Sequence, residues 1–225
     1  MKLDELLGDP SWLFDLGFPI QPMTESGLTG SASQLEWELD EKCRLPPLSS
    51  LSSERRFADV SLAWSEEGLF IHAVALTKHI KPSNPTSQSL FFTFYLDTRW
   101  SPGVHRGTTY CHRFEFILNR PSSTQMLRGH GELSPIQRAR AAPADIHPKD
   151  IAVGCLHREF GYEIKAFLRG DTLTGFEPRE FQELGVFYVI NDATLGSQCM
   201  ARTRQNPYFE DPSLWCRGKL IQPVG

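Results

Sequence analysis

Apolar and polar residues alternate with a period of two through much of the chain, the spacing of half-buried strands. FADVSLAWSE sends Val60, Leu62 and Trp64 one way and Asp59, Ser61 and Ala63 the other, and GLFIHAVAL resumes after Ser65-Glu66-Glu67-Gly68. Two alternating runs joined by a short turn ending in Gly predict a β-hairpin. LFFTFYLD places Leu90, Phe92, Phe94 and Leu96 on one face and Phe91, Thr93, Tyr95 and Asp97 on the other. YCHRFEFIL divides in the same way, Tyr110, His112, Phe114 and Phe116 against Cys111, Arg113 and Glu115. The runs IAVGCLH, GYEIKAFL, GVFYVIND and GKLIQP read as further strands, and Gln34 to Leu39 as another. In SPIQRARAAP the alternation of Ile136, Arg138 and Arg140 favours a strand, with Ser134-Pro135 as an alternative helix start. One short helix is predicted from Pro178 to Leu184, with Pro in its first turn and Gly185 after its last. The Pro/Ser tract from Leu45 to Ser53 is loop, and about residues 1–30 form a turn-rich arm. Many short strands with turn signals between them predict an all-β protein, an antiparallel β-sandwich of immunoglobulin-like or jelly-roll-like kind. Trp64 and Phe94, both on apolar faces, belong in its core.

Length and composition narrow the picture. A chain of 225 residues can fold around one core, so residues 1–225 are expected to form a single domain. Fifteen Phe favour strands, where flat side chains pack well on a pleated surface. A net charge of -4 and the lack of any long Lys/Arg run, although Arg55-Arg56 and Arg138 to Arg140 are locally basic, argue against a nucleic-acid partner, which needs a basic stripe. No run of about 18 apolar residues exists, so no helical membrane span is expected. The start, MKLDELLGDPSWLF, lacks a basic region followed by an apolar one, and is no signal peptide. Five scattered cysteines without a Cys-x-x-Cys pair suggest reduced thiols, and a cytoplasmic location is expected unless a leader precedes this sequence.

Candidate chemistry is sparse. His105, Cys111 and His112 carry zinc-ligating groups, but their spacing fits no closed zinc motif, and neighbours on a strand point to opposite faces. No metal or cofactor is expected. His112, on the core face, calls for a hydrogen bond to a carbonyl or a carboxylate, with Asp97 or Asp192 as possible partners. Asp97-Thr98-Arg99 ends a strand, where the carboxylate is expected to hold backbone amides of the following loop and Arg99 to pair with it or with a neighbour. No Gly-x-Ser-x-Gly elbow marks a nucleophile, and nothing in the spacing of Met126 and Met200 selects them as haem ligands. The carboxylates Glu163, Glu177, Glu180, Asp192 and Asp211 leave glycoside hydrolysis open on composition alone. The mixed face of Thr93, Tyr95, Arg113 and Glu115 combines apolar walls with polar fixings, as ligand pockets do, or is a solvated sheet face.

The order of elements resembles the carbohydrate-binding module family 9-like domains, within the wider DOMON-like group of β-sandwiches. The hairpin FADVSLAWSEEGLFIHAVAL, the strand ending in Asp97, CHRFEF, GYEIKAFL, GVFYVIND and the closing NPYFEDPSLWCRGKLI carry the likeness, over roughly residues 57 to 221. The resemblance implies a non-catalytic domain that binds a saccharide or similar polyhydroxylated ligand weakly. In sugar-binding members two aromatic side chains sandwich the terminal sugar. The second of these positions is filled here by Phe209, with Tyr208 beside it, while the first falls near Ser87, where there is no aromatic. A family acidic residue corresponds to Thr93 and a basic one to Glu115. Trp100, in the loop after the strand, is the candidate to replace the missing aromatic. The expected ligand-binding residues are thus Thr93, Tyr95, Trp100, Arg113, Glu115, Tyr208 and Phe209. The competing classes are a structural or protein-interaction domain that has lost the sugar site and, behind it, an enzyme of unknown reaction.

Overall fold

A computed structural model describes residues 17–46, 56–76, 89–119, 126–158, 161–201 and 207–223. Among them are twelve strands: β1 (Gly17–Pro22), β2 (Ala58–Ser65), β3 (Gly68–Leu76), β4 (Ser89–Asp97), β5 (Cys111–Asn119), β6 (Leu127–Arg128), β7 (His130–Ser134), β8 (Ile151–Arg158), β9 (Gly161–Arg169), β10 (Glu183–Asp192), β11 (Gly196–Cys199) and β12 (Cys216–Leu220). One sheet runs β12-β10-β4-β5-β7, with β11 also beside β10, and the other β6-β8-β9-β3-β2.

The two sheets are joined at both edges. β1 pairs in parallel with both, Phe18 opposite Gly218 in one and Gln21 opposite Ala63 in the other. At the far edge β6 pairs with β8 and β7 with β5, and between them the Gly129 amide donates to the Val153 carbonyl at 3.0 Å. The sandwich is therefore nearly closed into a barrel, which leaves few unpaired edges. The parallel pairing of β1 departs from the all-antiparallel expectation, and β1 itself lies in the segment read as a turn-rich arm. Pro19 and Pro22 hide it: proline reads as loop, yet is tolerated here because each lies where β1 pairs on one side only, as on an edge strand.

The hairpin of β2 and β3 forms as expected, with Ser65 opposite Gly68 and Glu66-Glu67 as its turn. Gly68 has φ +149, and a Cβ there would stand 2.0 Å from the Leu168 carbonyl oxygen, so no other residue fits. Trp64 and Phe94 are buried in the core between the sheets, among Leu62, Ile71, Phe92, Phe114, Ile164 and Ile190.

Both sheets are also covered on parts of their outer faces, which explains strands such as β9 and β10 whose residues are nearly all buried. Residues 23–45 cover the second sheet. Trp37 is fully buried there, its ring 5.4 Å from Phe70, and its indole N–H donates to the Ala32 carbonyl at 3.3 Å. The expected strand from Gln34 to Leu39 is absent. A 3-10 turn (Ala32–Gln34) and an isolated bridge between Leu28 and Trp37 replace it, because the segment packs by its few large side chains and not as a sheet edge. Beneath it the buried Lys165 and Glu163 form an ionic cluster with Glu38 at its exposed end: the Lys165 ammonium donates to the Trp37 carbonyl at 2.5 Å and to Glu38 at 2.8 Å, and stands 3.5 Å from Glu163.

Two further expectations are corrected. Pro178 to Leu184 is no helix: the amides of Glu180 and Phe181 both return to the Glu177 carbonyl in one turn, and β10 begins at Glu183, where Leu184 must be extended to pair with Gly218. SPIQRARAAP is no strand beyond Ser134. It turns at Ile136 to Ala139, with Arg138 left-handed at φ 56.

All five cysteines are free thiols, and four are buried. Burial, with Asp97 nearby, pushes the Cys111 thiol up to about 11, and burial with the charge of Asp40 raises Cys43. Few thiolates exist near pH 8, so the native protein should react slowly with dithionitrobenzoate, and the unfolded protein should titrate all five. Rapid reaction of several thiols in the native state would contradict this packing.

Candidate functional site

On the outer face of the first sheet, β10, β4, β5 and β7 lay three cross-strand rows side by side. Phe187, Tyr95, Arg113 and Ser134 form one; Val189, Thr93, Glu115 and Glu132 the next; Asn191, Phe91, Ile117 and His130 the third. The closing segment roofs the first row. The Tyr208 ring stacks on Phe187 at 4.7 Å and meets Tyr95 edge-on at 5.8 Å, while the Trp215 indole N–H donates to the Tyr208 carbonyl at 2.9 Å. Beside this roof a cavity of about 400 Å³ opens over the β10, β4 and β5 positions of the rows, with Tyr95 and Arg113 of the first row at its side.

Six of the seven expected ligand-binding residues line that cavity: Thr93, Tyr95, Arg113, Glu115, Tyr208 and Phe209. Phe91 and Ile117 complete its apolar wall, and Gln137 and Asn191 its rim. Among the described residues, three of the six exposed large apolar side chains, Phe91, Ile117 and Phe209, gather here, so the cavity presents a cluster of apolar surface to solvent.

The polar floor is preorganised. Arg113 pairs with Glu115 and donates to the Pro135 carbonyl at 3.2 Å, while the Ser134 hydroxyl donates to the other Glu115 oxygen at 2.9 Å. Burial pushes the Tyr95 phenol up to about 12, against the lowering effect of Arg113, so it stays protonated. Tyr95 is almost fully buried and supports the floor more than it offers itself. By contrast Thr93, Gln137 and Asn191 make no side-chain hydrogen bond among the described residues and are open to a ligand.

Trp100 is not at the cavity. It packs against Gly185, at the Asp97 end of the strands, four residues along β10 from Val189 of the cavity wall. The loop around it is fastened as the Asp97-Thr98-Arg99 sequence suggests: the amides of Arg99 and Ser101 donate to Asp97 at 3.0 and 3.2 Å. Burial raises the Asp97 carboxyl, and these two bonds oppose that. The Arg99 guanidinium lies over Phe181 and reaches Glu177 at 3.1 Å. Ser87, the position of the missing aromatic, lies outside the described residues.

Other chemical candidates resolve into structure. His112 is buried, with Nδ1 3.0 Å from the Tyr110 carbonyl and Nε2 accepting from the Thr174 amide at 3.2 Å, so its partners are backbone groups and neither Asp97 nor Asp192. Burial lowers it to about 4 and keeps it neutral. His105, Asp211 and Ser213 do meet, but Asp211 and Ser213 both lie 3.0 Å from the same nitrogen, Nδ1, whereas a relay needs acid and nucleophile on opposite nitrogens. Among the described residues no group of three His, Cys, Asp or Glu side chains could hold a metal ion, and no helix is long and apolar enough to cross a membrane.

No protein-family model and no curated protein matches the sequence. Solved structures do. The chain superposes on a carbohydrate binding module family 9 domain from Caldicellulosiruptor kristjanssonii in complex with cellotriose, with a TM-score of 0.56 and 14% identity over 93% of this chain and 100% of that one. A structure of a family 9 module from the same organism in complex with glucose gives 0.55 and 14% over 93% and 97%. The fold is that of the family 9 modules.

Proposed function

We propose that this protein is a non-catalytic carbohydrate-binding domain whose ligand, a saccharide or similar polyhydroxylated molecule, occupies the cavity over Thr93 and Glu115. The observation that carries the reading is the cavity itself: exposed Phe91 and Phe209 beside an ion-paired floor, in a fold whose similar structures hold cellotriose and glucose. A flat aromatic face takes the apolar side of a sugar ring, and Glu115, Thr93 and Asn191 take its hydroxyls. Phe91 stands in for the aromatic missing near Ser87. Binding is weak, near the millimolar affinity that about 4 kcal/mol provides, because the cavity is small and open to solvent. A binding role also fits the single carboxylate among the lining residues, since glycoside hydrolysis by paired acids needs two.

Calorimetry with glucose and cellotriose should show binding, reduced about tenfold or more by Phe209→Ala and by Glu115→Gln. Trp100→Ala should lower stability and leave affinity unchanged. The same exposed Phe91, Ile117 and Phe209 would suit a protein partner. Failure of a broad panel of mono- and oligosaccharides to bind would favour that reading.

A further inference from the structure

Gln137 borders the cavity, is exposed, and makes no side-chain hydrogen bond among the described residues. The residue after it, Arg138, is left-handed at φ 56, a conformation that costs any residue with a Cβ and that glycine adopts freely. The turn is nonetheless held from several sides. The Arg106 side chain donates to the Arg138 carbonyl at 2.7 Å, the Arg140 amide to the Gly107 carbonyl at 2.7 Å, and the Arg138 guanidinium reaches Glu210, beside Phe209, at 3.2 Å. Ile136 anchors the turn from below by its buried side chain. Strain of this kind persists where surrounding contacts over-determine it, and a glycine here would forgo the link to Glu210.

We propose that Gln137 is a direct ligand contact at the cavity rim and that Arg138 is a positioning residue, its left-handed turn and its Glu210 link holding Gln137 opposite the Phe209 wall. The proposal rests on the saccharide reading and adds to it a residue and a selectivity. An amide both donates and accepts, whereas the Glu115 carboxylate below only accepts, so the rim can read a neutral hydroxyl in either role. The experiment is calorimetry of cellotriose and glucose with the parent, Gln137→Ala, Arg138→Gly and the double variant, together with the nitrogen-15 shift of the Gln137 side-chain amide. Gln137→Ala should weaken binding about threefold to tenfold, the worth of one hydrogen bond, at an unchanged melting temperature. Arg138→Gly, which removes the strain, should weaken binding without lowering the melting temperature. In the Gln137→Ala background it should do nothing further, because the two act through one contact. Additive losses would overturn the role of Arg138. Sugar binding that leaves the Gln137 amide unshifted and survives Gln137→Ala would overturn the contact while the saccharide reading stands. Absence of binding by either sugar at tens of millimolar would overturn both.

Discussion

Phe94→Ala is expected to remove about 3 to 5 kcal/mol of stability in denaturant melts. Phe94 is fully buried on the inner face of β4, in register with Phe114 on one side and Tyr188 on the other. Around it Phe92 meets Phe116 at 5.6 Å and Tyr188 at 6.1 Å, both edge to face, so the neighbours are fixed by each other's rings and cannot close over a hole. The effect should reach the candidate site. Thr93 and Tyr95 flank Phe94 on the same strand and face the cavity, so a relaxed β4 would loosen the floor and saccharide affinity should fall with stability. A loss below about 1 kcal/mol would mean that Phe94 does not fill the core as described, since even a partly collapsed cavity costs more.

The strands that carry both core and site were legible for a physical reason. β4 and β5 bury one face throughout and leave much of the other, at Phe91, Thr93, Arg113, Glu115 and Ile117, only partly covered, so their sequences carry a period of two, and the register Thr93 to Glu115 and Tyr95 to Arg113 brings together residues that alternation had placed on one face. Phe91 carried the same signal, two residues from Thr93, but was not singled out, because an exposed Phe and a buried one read alike. Asn191 alternates with Val189 on β10 and was legible in principle. Gln137 was not, since its position depends on Arg138 being left-handed, and nothing in Arg-Ala-Arg announces that conformation. Trp100 shows the opposite failure: a loop aromatic packs wherever the nearest gap lies, and glycine at 185 opens one at the far end of the strands. β1 and residues 23–45 were illegible because their burial comes from a few anchors such as Ile20, Leu35 and Trp37 within polar and Pro-containing sequence.

The second large effect is expected in acid. Glu163 is buried on β9 under residues 23–45, paired with Arg158, with Lys165 at 3.5 Å and His72 at 3.2 Å. Burial alone would raise its carboxyl, but His72, Arg158 and Lys165 outweigh burial and hold it down to about 2, from an ordinary 4.5. A carboxyl depressed by folding stabilises the native state above the unfolded pKa, and that stabilisation is lost as pH falls through the folded one. Here the window runs from about pH 4.5 down to about 2, which corresponds to about 3 kcal/mol. Lys165 also donates to the Trp37 carbonyl, so protonating Glu163 removes a counter-charge from the cation that fastens the covering segment. Glu163→Gln should therefore be less stable than the parent at pH 7 by about 3 kcal/mol, the low end for a broken buried pair, because the Arg158 cation left behind is half in water and Lys165 keeps Glu38 as a counter-charge. Urea melts from pH 7 to 2 should show the parent losing more stability than the variant, so that the two curves converge below about pH 3. Parallel losses in parent and variant across that window would show that Glu163 is not the group whose protonation weakens the fold.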